Sequence, residues 1–449
     1  MNGNHSRSLS DLSEIMSFAK NFSREFENGA YRMNTNETHP DYNIDAFQTL
    51  SFYAKLHSML HSLLYSFSTT KKAPLDGRFG EIEKIQKLVS QLEWTVYPFL
   101  QTPLELIPAK GQGIVITGNS RHFNFAIQLL KSLRFVLNCT LPVEVFVNGQ
   151  EDFKPSQITA LQKFKGVKVV DINSRLDVTD LEGWAIKPFA ILASRFQEVI
   201  YMDVDVLILK DPAVLFSDPE YKRLGTLFYR DRSFSMAPKD PTGFTRKLLL
   251  YPSEEAKETR MWKHPIYGGH EMEAGIVVYN KRSENLYALA LVTRLQMTQE
   301  REEMYKYYLG DKESFWIAHE LLELPYNFSP TYAQNIGFVS NGYVCGSPCH
   351  VDRDDNLLWW NNGVLLNKME SLDGILRFEL YSRDVASMPV SPYAGFEGAW
   401  CVYAAENERF AIKEKYKKMI ETYISIWKDI RVHEMNKTLE MNADRLYTL

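Results

Sequence analysis

The sequence predicts an α/β protein with a doubly wound sheet, a helical stem before it and a helical tail after it. Between residues 113 and 202, short β-branched runs alternate with segments of helical periodicity. Such alternation is typical of parallel strands joined by crossover helices. The predicted strands are apolar on both faces, as expected where helices cover both sides of a sheet. The flanking segments instead repeat apolar residues at helical spacing.

The elements are predicted in the following order. Strands are expected at 113–118, 143–147, 167–170 and 198–202, and helices between them at about 123–137, 156–164 and 184–195. After residue 210 the pattern is mixed, with strands at 224–229 and 274–279 and helices at about 282–297 and 311–322. Residues 340–366 are expected to be loop-rich with short strands.

Four regions follow from this pattern. Residues 1–40 are polar, rich in Asn and Ser, and expected to be disordered, and residues 41–108 form a helical stem with helices over 44–69 and 79–93. Residues 109–405 form the α/β domain, and 406–449 a charged helical segment. His57 and His61 share one face of the first stem helix, and we interpret them as structural.

Composition excludes several classes of protein. The chain has 449 residues, of which 45% are hydrophobic and 24% charged, so it folds rather than remaining disordered. Its net charge of −5 lacks the basic footprint of a nucleic-acid-binding protein. We see no apolar run long enough to cross a bilayer and no signal peptide, so no transmembrane segment or anchor is expected in this sequence.

The four cysteines are too few to build a disulfide scaffold. Cys345 and Cys349 lack the second Cys or His pair that a zinc site needs. One or two disulfides remain open if the compartment is oxidising. Six Asn-x-Ser/Thr sequons, which begin at residues 4, 21, 36, 138, 327 and 436, are a weak indication of a secretory route.

The most informative motif is Asp203-Val204-Asp205, which directly follows the predicted strand 198–202. Two carboxylates at positions i and i+2 project toward the same side of an extended chain. At that distance they repel each other unless a cation lies between them. Mg²⁺ and Mn²⁺ take oxygen ligands and bridge to phosphates. The pair therefore indicates a site for a metal and a diphosphate.

Two further segments lie beside the same predicted edge of the sheet. Lys187 begins a helix before the strand 198–202, where its ammonium group could meet a phosphate. Thr117 and Gly118 end the first strand and could approach a nucleotide. Neither GxGxxG nor GxxxxGK[ST] occurs here, which argues against a Rossmann dinucleotide fingerprint and a P-loop.

These segments, with others in order along the chain, resemble the fungal Golgi α-mannosyltransferases that form α-1,3 or α-1,2 linkages. The resemblance covers about residues 110 to 370 and extends beyond the first three motifs to Tyr229–Arg232, Glu273–Lys281, Gly310–Ala318 and Trp359–Lys368. It implies a glycosyltransferase-A fold over 109–405. It also implies a metal-dependent enzyme that moves mannose from GDP-mannose to a mannose-terminated glycan and retains the α configuration.

The resemblance also implies roles for individual residues. Asp203 and Asp205 would hold Mn²⁺ (or Mg²⁺), with His350 as a third ligand. Glu273 and Asp311 would lie beside the acceptor or the transferred sugar, although Asp311 could also be a plain helix N-cap. The remaining residues assigned to the nucleotide sugar are Thr117, Gly118, Lys187, Asp203, Asp231 and Arg232.

The chain departs from the family pattern in two ways. Family members are type II membrane proteins of the Golgi, which predicts a lumenal location, yet we find no anchor here. Family members often have Glu-Ser-Gly where this chain has Glu273-Ala274-Gly275, so any role of that hydroxyl is in doubt.

Two alternatives stay open at the level of sequence. A glycogenin-like enzyme that uses a UDP-sugar would keep the metal chemistry and change the donor. A catalytically inactive protein that binds a sugar nucleotide or a glycan would keep the fold alone. The intact acid pair argues against the second alternative.

Overall fold

The computed structural model describes residues 44–69, 79–149, 151–178, 181–232, 240–264, 270–384 and 393–435. The chain divides into two compact units, Met1–Leu106 and Ile107–Leu449. The predicted disordered segment 1–40 lies outside the described residues.

The first unit contains the two predicted stem helices, α1 (Ile44–Thr69) and α2 (Phe79–Val96). His57 is fully buried on α1 and its ring makes an edge contact with Tyr97 at 5.6 Å. Burial lowers the pKa of His57 to about 3, so the ring is neutral. His61 lies 2.7 Å from Glu105. His57 therefore packs in the core of this unit and His61 pairs with an acid, so both histidines have structural contacts, as the sequence indicated.

A mixed sheet forms the centre of the second unit. Among the described residues it has seven strands, in the order β3-β2-β1-β4-β7-β6-β8. Its members are β1 (Gln112–Thr117), β2 (Val143–Val147), β3 (Val167–Asp171), β4 (Glu198–Met202), β6 (Thr226–Arg230), β7 (Met272–Asn280) and β8 (Phe328–Tyr332). Strands β1 to β4 are parallel, and β7 is antiparallel to both of its neighbours.

The chain order of these strands places the ligand crevice. The chain runs outward from β1 through β2 to β3 and then returns to place β4 on the other side of β1. Ligands of such sheets bind beyond the carboxyl ends of the two strands at this reversal. Thr117 ends β1 and Asp203 follows β4, so both lie at this point. The predicted mixed, doubly wound sheet is confirmed.

Helices pack against the sheet, and the strands at its centre are buried. Those of the second unit are α3 (Phe123–Lys131), α4 (Pro155–Gln162), α5 (Ile186–Ala193), α6 (Pro219–Leu224), α7 (Pro241–Leu248), α8 (Glu254–Glu258), α9 (Arg260–Lys263), α10 (Glu284–Leu295), α11 (Thr298–Met304), α12 (Lys312–Leu321) and α13 (Glu414–Met435). The helix predicted over 123–137 is α-helical only to Lys131 and continues as a π-helix to Val136.

A second, antiparallel sheet corrects the expectation of loops over 340–366. Its described strands are β5 (Leu207–Ile208), β9 (Gln334–Ser340), β10 (Tyr343–Val351), β11 (Leu357–Trp360), β12 (Leu380–Ser382), β13 (Tyr393–Phe396), β14 (Ala399–Tyr403) and β15 (Arg409–Ala411). Gly337 and Gly346 face each other across β9 and β10. A Cβ on Gly337 would lie 2.0 Å from the Cys345 carbonyl oxygen. Gly337 and Gly346 therefore reflect close backbone approach between paired strands rather than loop structure.

The tail helix α13 packs against the α/β domain. The ring of Trp427 lies 4.7 Å from that of Phe125 on α3, and the Tyr423 hydroxyl donates to the Ile208 carbonyl oxygen of β5 at 2.7 Å. Residues 406–411, predicted as helix, form a short 3₁₀ turn and β15 instead. Within the described residues, no helix is both long and apolar enough to span a membrane.

The four cysteines separate into one pair and two single thiols. Cys345 on β10 and Cys401 on β14 are directly opposite and form a disulfide. Cys139 and Cys349 are free and buried. The disulfide thus links two neighbouring strands of the second sheet across 56 residues of sequence.

We expect the Cys345→Ala/Cys401→Ala double variant to lose about 2–4 kcal/mol of the free energy of unfolding, because the crosslink restricts the unfolded chain. Urea unfolding of the two proteins measures this loss. Thiol titration of the denatured, unreduced wild type should find two free thiols. Four free thiols would contradict the pairing.

Candidate active site

The turn that carries the two predicted metal ligands joins the two sheets. The backbone N–H of Asp203, just after β4, donates to the Gly275 carbonyl oxygen of β7 at 2.8 Å. Val206 N–H closes the turn on the Asp203 carbonyl oxygen at 3.1 Å. The chain then enters β5, which pairs with β11 through Ile208 and Trp359. The pair of acids is therefore anchored on both sides by strand pairing.

Lys187 is at the centre of the site. Its Nζ donates to the Ala274 carbonyl oxygen at 2.8 Å and lies 3.3 Å from Asp203 Oδ1 and 3.5 Å from Asp311 Oδ2. Burial opposes its charge, but Asp203, Asp311 and Glu273 together raise the pKa of Lys187 above its usual value. One buried ammonium group therefore links α5, the turn after β4, the start of α12 and β7.

Asp311 does not act as a helix cap. It occupies the residue before α12, but its side chain makes no capping hydrogen bond. The carboxylate instead faces Lys187 and is almost completely buried. Burial raises the pKa of Asp311 despite the neighbouring lysine. The plain N-cap alternative is therefore wrong.

Glu273 is held by two amide donors. Its Oε1 accepts from the Gly275 N–H at 2.9 Å and from Asn361 Nδ2 at 3.2 Å. Burial, and then the nearby Asp231, raise the pKa of Glu273. Ala274 contributes its backbone carbonyl to Lys187, a contact that needs no side-chain hydroxyl.

A second ion pair lies beside Glu273. Lys312 Nζ is 2.5 Å from Asp231 Oδ2. Burial alone would raise the pKa of Asp231, but the charges of Lys312 and Arg232 hold it below its usual range. Arg232 Nη1 donates to Asn335 Oδ1 at 3.1 Å. Asp231 is thus already neutralised by the protein.

Thr117 reaches the acid pair through Tyr201. The Tyr201 hydroxyl donates to Asp203 Oδ1 at 2.9 Å and lies 2.8 Å from Thr117 Oγ1. Because the phenol has a single proton, the Thr117 hydroxyl must be the donor in the second bond. Gly118 has no such contact, and a Cβ there would meet its neighbours, among them His122, at ordinary distances of 3.5 Å or more.

Lys368 is the main residue that the sequence did not single out. Its ammonium group forms an ion pair with Asp205 Oδ2. Burial opposes the charge, but Asp205, Asp203 and Glu273 raise the pKa of Lys368. Lys368 lies in a segment used for the family resemblance, and its separation of 163 residues from Asp205 hides the contact in the sequence.

His350 lies apart from the acid pair. Its ring stacks on Trp359 at 4.0 Å, and its Nε2 is buried without a hydrogen-bond partner. Trp359 also lies against Gly275, where an added Cβ would approach the indole to 3.0 Å. Across the described ranges, no three His, Cys, Asp or Glu side chains are arranged to hold a metal ion. The structure therefore does not bring His350 together with Asp203 and Asp205.

The cluster carries more negative than positive side chains. Within the described part of the chain it contains five carboxylates and three lysines, namely Asp203, Asp205, Asp231, Glu273, Asp311, Lys187, Lys312 and Lys368. The pKa values of Asp203, Glu273 and Asp311 are raised, first of all by burial. The nearby charge of Asp205 also raises the pKa of Asp203. Oxygen donors with uncompensated charge fit a hard divalent cation.

Comparison with known proteins identifies a family model and several relatives that match this chain. A family model described as "Mannosyltransferase putative" matches residues 111–352. The chain is 27% identical over 314 residues to "Putative alpha-1,3-mannosyltransferase MNN14" of Candida albicans, a match that covers 59% of this chain and 44% of that protein. It is 26% identical over 301 residues to "Alpha-1,3-mannosyltransferase MNT2" of Saccharomyces cerevisiae, covering 58% and 53%. The chain thus spans about half the length of the curated relatives it matches.

Solved structures match more distantly. Core-mannan synthase A from Aspergillus fumigatus, in a Mn/GDP form, gives a TM-score of 0.33 at 12% identity, covering 47% of this chain and 70% of that chain. The glycosyltransferase GlyE of Streptococcus pneumoniae gives a TM-score of 0.30 at 16% identity, covering 49% and 45%. Structural similarity this low does not identify the sugar donor or the metal ion of this chain.

The Lys187→Met variant should lose about 3–5 kcal/mol of the free energy of unfolding at pH 7.5, because the buried Asp311 and the partly buried Asp203 would lose their shared cation. The loss should be smaller at pH 5, where these carboxylates accept protons more readily. Urea unfolding at the two pH values measures both quantities. Lys222→Met, at an exposed lysine of α6, is the matched control. A loss equal to the control would contradict the central role of Lys187.

The Glu273→Gln variant should be more stable than wild type at pH 8 and at least about tenfold less active. A carboxyl with a raised pKa keeps its proton to higher pH in the folded protein than in the unfolded chain. Its contribution to stability is therefore lost as pH rises through that interval. Glutamine keeps the acceptor oxygen for Gly275 and Asn361 without the charge.

Thermal unfolding of this variant between pH 5 and pH 8 tests the stability half of this expectation. The wild-type melting temperature should fall more steeply with rising pH than that of Glu273→Gln. Glu284→Gln, at an exposed position in the first turn of α10, should follow the wild type. Identical slopes for all three proteins would refute the assignment.

Proposed function

The chain belongs to the mannosyltransferase family whose model matches residues 111–352, and from this membership we propose that it transfers mannose from GDP-mannose to a mannose-containing glycan. The family membership confirms the resemblance found in the sequence. Since the matched relatives are named as α-1,3-mannosyltransferases, the α-1,3 linkage is preferred over α-1,2. The observation that carries the proposal is the Asp203–Asp205 pair at the strand reversal, surrounded by more carboxylates than lysines.

Asp203 and Asp205 would hold Mn²⁺ or Mg²⁺, consistent with their all-oxygen donors and excess negative charge. The ion, when bound, would neutralise charge that develops on the leaving diphosphate. In the proposal Lys368, which now neutralises Asp205, is released to donate to a diphosphate oxygen. Lys187 keeps its position between Asp203 and Asp311 and adds positive charge behind the acid pair.

The remaining residues would bind the sugars. Glu273 has a raised pKa and only neutral amide donors, so its carboxylate is suited to accept the proton of an acceptor hydroxyl. Asp311 would hydrogen-bond to the transferred mannose. As the bond between the anomeric carbon of mannose and the diphosphate oxygen breaks, that carbon forms a bond to the acceptor hydroxyl oxygen. The α configuration at the anomeric carbon is retained. A covalent carboxylate intermediate and attack from the same face both remain compatible with this geometry.

The nucleotide would occupy the crevice beyond β1. We assign Thr117, Gly118, Asp231 and Arg232 to the nucleotide sugar, with Thr117 acting on Asp203 through Tyr201. His350 is proposed as a third ligand because its buried Nε2 has no hydrogen-bond partner in the described structure. For that role, its position behind Trp359 requires the imidazole to move toward the acid pair.

We propose that the protein acts in the Golgi lumen. The disulfide between Cys345 and Cys401 supports an oxidising compartment, since cytosolic proteins rarely keep such bonds. The sequon at Asn138 is exposed at the end of the π-helix, in a position open to glycosylation.

Donor binding tests the proposal directly. GDP and GDP-mannose with Mn²⁺ should raise the melting temperature, because a ligand that binds only the folded state stabilises it by mass action. The Asp205→Asn variant should lose this metal-dependent shift and at least about 100-fold of turnover. Asp354→Asn, at an exposed loop position, should keep both.

Several outcomes would redirect the proposal. A rise in melting temperature with UDP or UDP-glucose instead of GDP would leave the fold assignment intact and indicate a UDP-sugar donor. Binding without turnover would indicate an inactive sugar-nucleotide-binding protein. Full turnover in Asp205→Asn would refute the metal assignment, and an unchanged Mn²⁺ titration in His350→Ala would remove His350 from the ligand set.

A further inference from the structure

An exposed tryptophan lies beside the acid cluster. Trp184 is 54% exposed and belongs to the 3₁₀ turn Gly183–Ala185, immediately before α5. Scattered exposed apolar residues are common and need no explanation by themselves. Trp184 differs from other exposed apolar residues in its position, because Lys187 follows it by only three residues, on α5. The indole is therefore attached to the same short element as the central cation of the site.

The backbone of Gly310 supports the indole. Gly310 has a φ of +74°, a conformation that favours glycine. A Cβ at this position would lie 3.0 and 3.1 Å from two ring atoms of Trp184. Position 310 thus requires glycine for two reasons: its positive φ, and the Trp184 ring, which leaves no room for a Cβ. Leu309, the preceding residue, is 55% exposed and extends the apolar surface.

The same contact places the indole next to the sugar end of the site. Asp311 follows Gly310, and its carboxylate lies 3.5 Å from Lys187 Nζ. Lys187 Nζ also lies 3.3 Å from Asp203 Oδ1, and Lys368 pairs with Asp205, two residues further along the same turn. Asp203 and Lys187 therefore connect the Lys368 side, where the diphosphate would bind, to the Asp311 side, which Trp184 borders.

We propose that Trp184 is the stacking platform for the acceptor sugar, an inference that rests on the proposed glycosyltransferase function. A pyranose ring has an apolar C–H face and hydroxyl groups at its edge. Stacking that face on the exposed indole removes apolar surface from water, while the edge hydroxyls of the acceptor remain free to hydrogen-bond to the carboxylate of Glu273. Trp184 thus fixes which face of the acceptor meets the site.

Kinetics of purified full-length variants test the platform. Trp184→Ala should raise the acceptor KM about tenfold, the equivalent of about 1.4 kcal/mol, and leave the donor KM and acceptor-free donor hydrolysis unchanged. Gly310→Ala should raise the acceptor KM in the same direction, because its Cβ displaces the indole. Trp184→Phe should restore part of the loss. Trp400→Ala, at a tryptophan that is 49% exposed on β14, is the matched control and should behave as wild type.

A direct binding measurement separates this inference from the proposed function. Saturation-transfer NMR with methyl α-mannoside and α-mannobiose should show contact in wild type and Trp400→Ala, and a marked loss in Trp184→Ala. If mannose transfer fails but another neutral saccharide binds and is lost in Trp184→Ala, the platform stands and the donor or acceptor assignment falls. An unchanged acceptor KM in Trp184→Ala overturns the platform. A raised donor KM with an unchanged acceptor KM also overturns it, because the indole would then stack on the nucleotide base.

Discussion

The site depends on one buried ammonium group among carboxylates that no short segment of sequence could bring together. Lys187 contacts Asp203 after β4, Asp311 before α12 and the Ala274 carbonyl oxygen of β7. Each of these acids would be costly to bury alone. Because one cation stabilises both, the three elements must keep their relative positions for the fold to be stable. The geometry of the site and the stability of the domain are thus coupled.

The second sheet holds the other side of the crevice. The turn after Asp203 enters β5, and β5 pairs with β11. The Gly363 N–H, shortly after β11, donates to the Asp205 carbonyl oxygen at 2.6 Å. Asn361 supports Glu273, and Lys368 neutralises Asp205. The first sheet and the turn after β4 therefore supply Glu273, Asp203 and Asp205, and the segment after β11 supplies the polar groups that orient and balance them.

Excess negative charge is the feature that most directly indicates chemistry. Structural ion pairs in proteins are usually matched, as Asp231 and Lys312 are here. Asp203, Glu273 and Asp311 instead keep raised pKa values despite their neighbours. Carboxylates whose charged form is disfavoured in this way are typical of functional sites, and this cluster is suited to bind a cation and hydroxyl groups.

The sequence by itself determined the doubly wound sheet, the boundaries of most of its strands and the position of the acid pair, because each of these depends on local periodicity and on neighbouring residues. It could not determine that residues 334–360 form an antiparallel sheet, since the need for Gly337 and Gly346 is visible only once the two strands are paired. Nor could it show that Asp311 faces Lys187 instead of capping its helix, or that Lys368 pairs with Asp205 across 163 residues. Those contacts are electrostatic and distant in sequence, and only the packing of the two sheets brings their charges together.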